Sequence, residues 1–196
     1  MKRLGVFALL MLAAGAAAAA AAENHVAAPS AARCGGQTWR LKTFSDLQRT
    51  RVDVTAQSTT LGAIRERRGP GRRVPTRRTT PYQLHTWEVP AQITAFRLDP
   101  TGSVRLVLYD DNAYINAVIP APACLSPRTR QRASILAAWH LFVDKCGHAS
   151  SEWQSLGAIF FVRGLGFWGG KTPQRGGAPN GAELHPVTGL RVVAGC

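Results

Sequence analysis

The chain has 196 residues, 45% of them hydrophobic, which is enough for one domain with a proper core and too much for a disordered polymer. Its 24 Lys and Arg stand against 11 Asp and Glu, a net charge of +13 that favours contact with polyanions such as nucleic acid, anionic lipid or acidic glycans. Arginine supplies 20 of the 24 cations, a bias that a GC-rich genome would also produce without any function.

The first residues read as an export signal. Lys2 and Arg3 precede the short apolar run Leu4–Leu12, and the alanine tract behind it offers A-x-A cleavage sites. Residues 1–22 are therefore expected to be a signal peptide, 23–33 a flexible linker and 34–196 one domain. The apolar run is too short for a transmembrane anchor. No Leu stands three residues before Cys34, which excludes a lipoprotein signal. Export to the periplasm or the medium follows.

"QTWRLKTF" (37–44) alternates as a first strand does. "RERRGPGRRVPTRR", Arg65 to Arg78, has no period of 2 or 3.6 and reads as an exposed loop over 65–80. "YQLHTWEVPAQITAFRL" (82–98) is a long β segment in which Pro90 marks a bulge or an edge position. "SVRLVLY" and "AYINAVI" follow, with Asp110-Asp111-Asn112 between them as a hairpin turn. Ser126-Pro127 supplies an N-cap and first-turn proline for a helix that carries Ile135, Trp139, Phe142 and Cys146 and ends at Gly147. "WQSLGAIFFV" (153–162), a Gly-rich loop and the strand "AELHPVTGLRVV" (182–193) complete the chain. Three β segments, a helix and two β segments predict a mainly β fold with one α-helix, an OB-like small barrel.

Cys34, Cys124, Cys146 and Cys196 predict two disulfides with three possible connectivities. Pairing Cys124 with Cys146 would clamp the helix, and Cys34 with Cys196 would join the ends of the domain. No cysteine or histidine cluster has zinc-ligand spacing, and no cofactor is expected. "GGKT" (169–172) fails as a phosphate loop, because the required first Gly is Leu165 and Pro173 blocks the following helix.

The candidates for anion binding are Arg65, Arg67, Arg68, Arg72, Arg73, Arg77 and Arg78, together with Trp168 as an exposed aromatic between glycines. No aromatic is interleaved within the arginine run itself. The candidates for chemistry are Glu183 and His185, two apart and so on one face of a strand, with His85 as a third group if its strand neighbours theirs.

"WRLKTFSD", "PAPAC", "FF" and above all "GGAPNGAELHPV" resemble a group of small bacterial proteins without an established function. Their shared C-terminal pattern is H-G-x-T-G-x-A-P-N-x-I-E-L-H-P-V. The resemblance supports the Cys124–Cys146 pairing and implies a hydrolytic or metal site in relatives. Positions that are acid or histidine in that group hold Ser103, Arg105, Val118 and Val162 here, and only Glu183 and His185 persist. Two ligands fall short of a catalytic zinc site, which uses three protein groups and a water. The expectation is an exported, non-catalytic binding protein for an anionic partner, either nucleic acid or an envelope polyanion. The alternative is a metal-assisted hydrolase of the nuclease type, degenerate in this chain.

Overall fold

The structure, a computed structural model, describes residues 34–71, 74–171 and 173–196; the expected leader and linker, and the candidates Arg72 and Arg73, lie outside the described residues. The elements in order are α1 (Trp39–Lys42), β1 (Asp53–Ser58), α2 (Leu61–Arg65), β2 (His85–Leu98), β3 (Val104–Asp110), β4 (Ala113–Ile119), α3 (Arg132–Cys146), β5 (Gln154–Trp168) and β6 (Ala182–Ala194). Strands β2, β3, β4, β6 and β5 pair in that order, and β5 returns to β2, so the five close a ring. All its pairs are antiparallel except β4–β6, which run parallel where Asn116 faces Glu183 and Ala117 faces Leu184. The fold is thus mainly β, an OB-like small barrel with one long helix between the third and fourth ring strands, as the order of segments predicts.

Alternation fills the ring. Leu106 and Leu108 of β3, Ile115 and Ala117 of β4, Phe160 and Val162 of β5 and Leu184 of β6 belong to one buried core. At one end α3 brings Phe142 onto Phe96, with ring centroids 5.1 Å apart. The other end is closed by Leu61 and Ile64 of α2 with Tyr82, Trp87 and Trp168. The hairpin turn lies at Asp111 and Asn112, both with positive φ, as its composition demands. Pro90 pairs with Phe161 on one side only; on the other, β1 pairing stops at Glu88 and β3 pairing begins at Gln92. It occupies the edge position expected of it.

Several expectations need correction. Residues 37–44 contain a single helical turn rather than a strand, because Leu41 and Phe44 three apart both bury against the barrel. The outer strand of the sheet is instead β1, parallel to the start of β2. Arg65 ends a helix rather than opening a loop, with Thr60 capping α2 through Ala63 N–H at 3.1 Å. The long helix begins at Arg132, and Ser126-Pro127 belong to a separate turn closed by Thr129 N–H on Ser126 O. Strand β5 runs on through the glycines to Trp168: a side chain at Gly166 would strike Tyr82, and one at Gly164 would crowd Leu184.

The disulfide pairing is also overturned. The bridges are Cys34–Cys124 and Cys146–Cys196, with Cα separations of 5.5 and 5.0 Å. Each cysteine is closed by the segment that passes it: α3 carries Cys146 on its last turn, whereas Cys124 lies in the short turn ahead of the helix and meets Cys34. Strand β6 packs along α3 and delivers Cys196 to Cys146 instead.

Candidate functional site

The arginine-rich segment divides into parts with different fates. Arg65, Arg67 and Arg68 line an open groove of about 650 Å³ with Lys171 from the β5–β6 loop. Arg65 and Arg68 are exposed. The Arg65 guanidinium donates to Asn112 O at 2.9 Å, which ties α2 to the β3–β4 turn. Arg67 is half-buried, its guanidinium 4.2 Å from the centre of the Trp87 ring. Arg77 is exposed but lines a different groove, with Arg40 and Leu47. Arg78 is buried: it donates to Asp46 Oδ2 at 2.7 Å and to Gln83 O at 3.0 Å, so it holds the fold rather than a ligand.

Asn180 joins the groove to the barrel. Its amide donates to Ile64 O and to Arg67 O, both at 2.9 Å, and its carbonyl accepts from Ala182 N–H at 3.0 Å. The Ala-Pro-Asn-Gly stretch is therefore a clasp between the arginine segment and the start of β6. Gly181 completes it with φ +78 and packs against Gly170. Gly69 lies against Asn180 O and the Trp168 ring.

Trp168 is not the exposed contact that its glycine neighbours suggested. It is 1% exposed, donates from Nε1 to Thr80 Oγ1 at 2.9 Å and packs 4.8 Å from Tyr82. Among the described residues the exposed aromatic is Tyr114, with Tyr109 half-buried beside it. Tyr109 and Tyr114 face each other across β3 and β4 with centroids 4.7 Å apart, one residue pair from the turn that Arg65 holds, and Tyr114 is 43% exposed. Tyr114 and Arg175 line a further groove of about 410 Å³. Sequence reading missed this pairing because the tyrosines are five apart around a turn and far in sequence from the arginines. The two-residue hairpin, which fixes the register, was the available signal. The same end of the barrel carries Glu66 and the Asp110-Asp111 turn together with Arg65, Arg67, Arg68 and Lys171.

Glu183 and His185 do share a face of β6, the outer one, but the chain covers it. Gln174 of the β5–β6 loop donates to Glu183 Oε1 at 3.0 Å, Arg105 Nη1 approaches the same oxygen at 3.4 Å, and Gly169 lies directly against the carboxylate. The two side chains are 5% and 3% exposed. His185 Nδ1 stands 3.9 Å from Glu183 Oε2, in electrostatic contact but beyond a full hydrogen bond. Burial pushes the Glu183 carboxyl upward, yet contact with His185 and the charges of Arg105 and Lys42 outweigh it and hold the group at about 2. Burial is also the main influence on His185, and it holds the imidazole down at about 4 despite the neighbouring carboxylate. At neutral pH the pair is one carboxylate and one neutral ring.

His85 does not join them. Its strand β2 neighbours β1, β3 and β5 but not β6, and its Nδ1 lies 2.9 Å from Gln57 Nε2. Among the described residues no group of three His, Cys, Asp or Glu is placed to hold a metal ion. Two disulfides are present, and no helix of the described residues is long and apolar enough to cross a membrane.

No family model matches the chain, and no curated protein matches it. A solved structure named as an aspartyl-tRNA synthetase of Leishmania major Friedlin is similar at 12% identity and a TM-score of 0.41. The match covers 72% of this chain and 21% of that one, so the chain spans about a fifth of that protein's length.

Proposed function

We propose that the protein is an exported, non-catalytic binder of an anionic polymer, and that a single-stranded nucleic acid is its ligand. The observation that carries this reading is the convergence at one end of the barrel. Arg65, Arg68 and Lys171 line an open groove, and the hairpin that Arg65 grips carries the tilted Tyr109–Tyr114 pair one residue pair from its turn. Cationic side chains follow a phosphate backbone, while an exposed ring accepts a base without regard to sequence. OB-like barrels often use this face and the loop between their last two strands, an analogy of fold that adds weight without deciding the case. Export rests on the leader-like start and the two disulfides.

Fluorescence anisotropy with an oligo-dT strand across a salt series tests the proposal. Affinity should fall as salt rises, and Arg65→Ser with Arg68→Ser should flatten the log–log slope by about 1.4. Tyr114→Ala should weaken binding by about 1–3 kcal/mol. Absent binding at low salt, or binding indifferent to salt, sinks the reading. A flattened slope with no effect at Tyr114 would point instead to a polyanion without bases, such as an envelope glycan.

A further inference from the structure

A second basic surface lies away from the tyrosines and is built differently. Leu47 is 86% exposed, the most exposed of the large apolar side chains among the described residues. It lines two grooves, one with Trp39, Arg40, Arg49 and Arg128, the other with Arg40 and Arg77. Arg40, Arg77 and Arg128 are exposed, and among the described residues none of them makes an ion pair. The one carboxylate lining either groove, Asp46, is buried and already neutralised by Arg78 at 2.7 Å. The result is a projecting aliphatic side chain flanked by three exposed and uncompensated guanidinium groups, with Arg49 tied to Asp46 O at 3.1 Å beside them.

We infer that this face docks on an anionic phospholipid surface. Guanidinium groups pair with headgroup phosphates, and an aliphatic side chain standing among them reaches the acyl boundary that water would otherwise make costly to expose. The half-buried Trp39 beside Arg40 suits the same interfacial depth. A nucleic acid is a poorer match, because no exposed ring stands here to stack on a base and leucine has nothing to gain from a phosphate chain. The surface is separate from the proposed oligonucleotide groove: the two share no lining residue.

Co-sedimentation of the exported chain with vesicles decides it, using phosphatidylcholine alone and phosphatidylcholine with one quarter phosphatidylglycerol. Binding is expected to the anionic vesicles and not to the neutral ones. Arg40→Ser with Arg128→Ser should lower the partition coefficient about 25-fold, and Leu47→Ser, which leaves the charge untouched, about tenfold. Arg65→Ser with Arg68→Ser removes the same charge elsewhere and should change partitioning less than about threefold. All these side chains are exposed, so the variants should keep the wild-type thermal midpoint. Equal losses from the two arginine pairs would reduce the effect to overall charge and overturn the assignment. So would an unchanged Leu47→Ser, or wild-type protein that ignores anionic vesicles at low salt. Oligo-dT binding retained by Leu47→Ser keeps the two surfaces distinct; its loss in that variant would merge them and end this proposal.

Discussion

Arg68 and Arg78 stand in one arginine-rich run, and the fold treats them as opposites. Arg68 lies exposed on an open groove, while Arg78 is walled in with its terminal nitrogens on Asp46 and the Gln83 carbonyl. Residue type and local composition are the same; the difference is a carboxylate more than thirty residues upstream. A buried guanidinium needs partners for its donors, whereas an exposed one leaves its donors to water or to a ligand. Charge density along a sequence therefore overstates a binding surface by the arginines that the fold consumes. Arg78 and the half-buried Arg67 are consumed in this way, and Arg77 faces another direction.

The sharpest way to test the contrast is to cut each arginine back. Arg78→Met should destabilise the domain by about 3–5 kcal/mol, since Asp46 would be left buried and unpaired. Arg68→Met should change stability by less than about 0.5 kcal/mol. Urea midpoints of the two variants give the comparison, and similar losses would mean that Arg78 is not the structural member. Adding Asp46→Leu to Arg78→Met should recover part of the loss, because the stranded charge is then removed as well.

The buried carboxylate and imidazole of β6 extend the contrast to pH. His185 titrates at about 4 in the folded protein and near 6.5 in the unfolded chain. Between those values the unfolded chain binds a proton that the folded protein refuses, so stability is full above pH 6.5 and falls as pH drops toward 4. Glu183 adds a loss of the same sign lower down. Its folded pKa of about 2 lies below the ordinary 4.5, so its contribution is present above pH 4.5 and disappears as pH falls toward 2. His185→Gln should flatten the thermal midpoint between pH 6.5 and 4.5 and also shrink the lower limb, because the contact that most lowers the Glu183 pKa is lost with the imidazole. A wild-type midpoint that rises on acidification through that window would contradict the buried, neutral imidazole. Arg65→Ser with Arg68→Ser should leave the shape of the profile unchanged, because neither group approaches the pair.

The barrel was legible because alternation and turn chemistry are local signals: "SVRLVLY", the Asp-Asp-Asn turn and "AYINAVI" each carry their structure within a few residues. The glycines of β5 misled for the opposite reason. They serve strand packing against Tyr82 and Leu184, residues distant in sequence, and read locally as a loop. Trp168 shows the same failure, since flanking glycines suggested exposure while Thr80 and Tyr82 bury it. Glu183 and His185 were placed on one face correctly by period 2. Their cover could not be read, because Gln174, Arg105 and Gly169 reach them through loop conformation and strand order. The disulfides were countable but not pairable, as connectivity depends on where β6 ends relative to α3.

Asn180 belongs to both regions and gives the finest test of their difference. Its amide holds the carbonyls of Ile64 and Arg67 at the edge of the groove that it lines with the arginines, and being uncharged it neutralises no phosphate itself. Asn180→Ala should cost about 1–2 kcal/mol for the lost bonds to two carbonyls. Asn180→Asp keeps the acceptor for Ala182 N–H but turns an oxygen toward Ile64 O and Arg67 O, so it should be the worse of the two. On oligo-dT both variants should bind more weakly while the salt slope stays at its wild-type value. A positioning residue misaims the phosphate contacts without deleting any, and the slope counts phosphates neutralised rather than how well they are held. A slope that drops with the affinity would mean that the clasp itself delivers cations into the groove, and the division between residues that build the surface and residues that touch the ligand would have to be redrawn there.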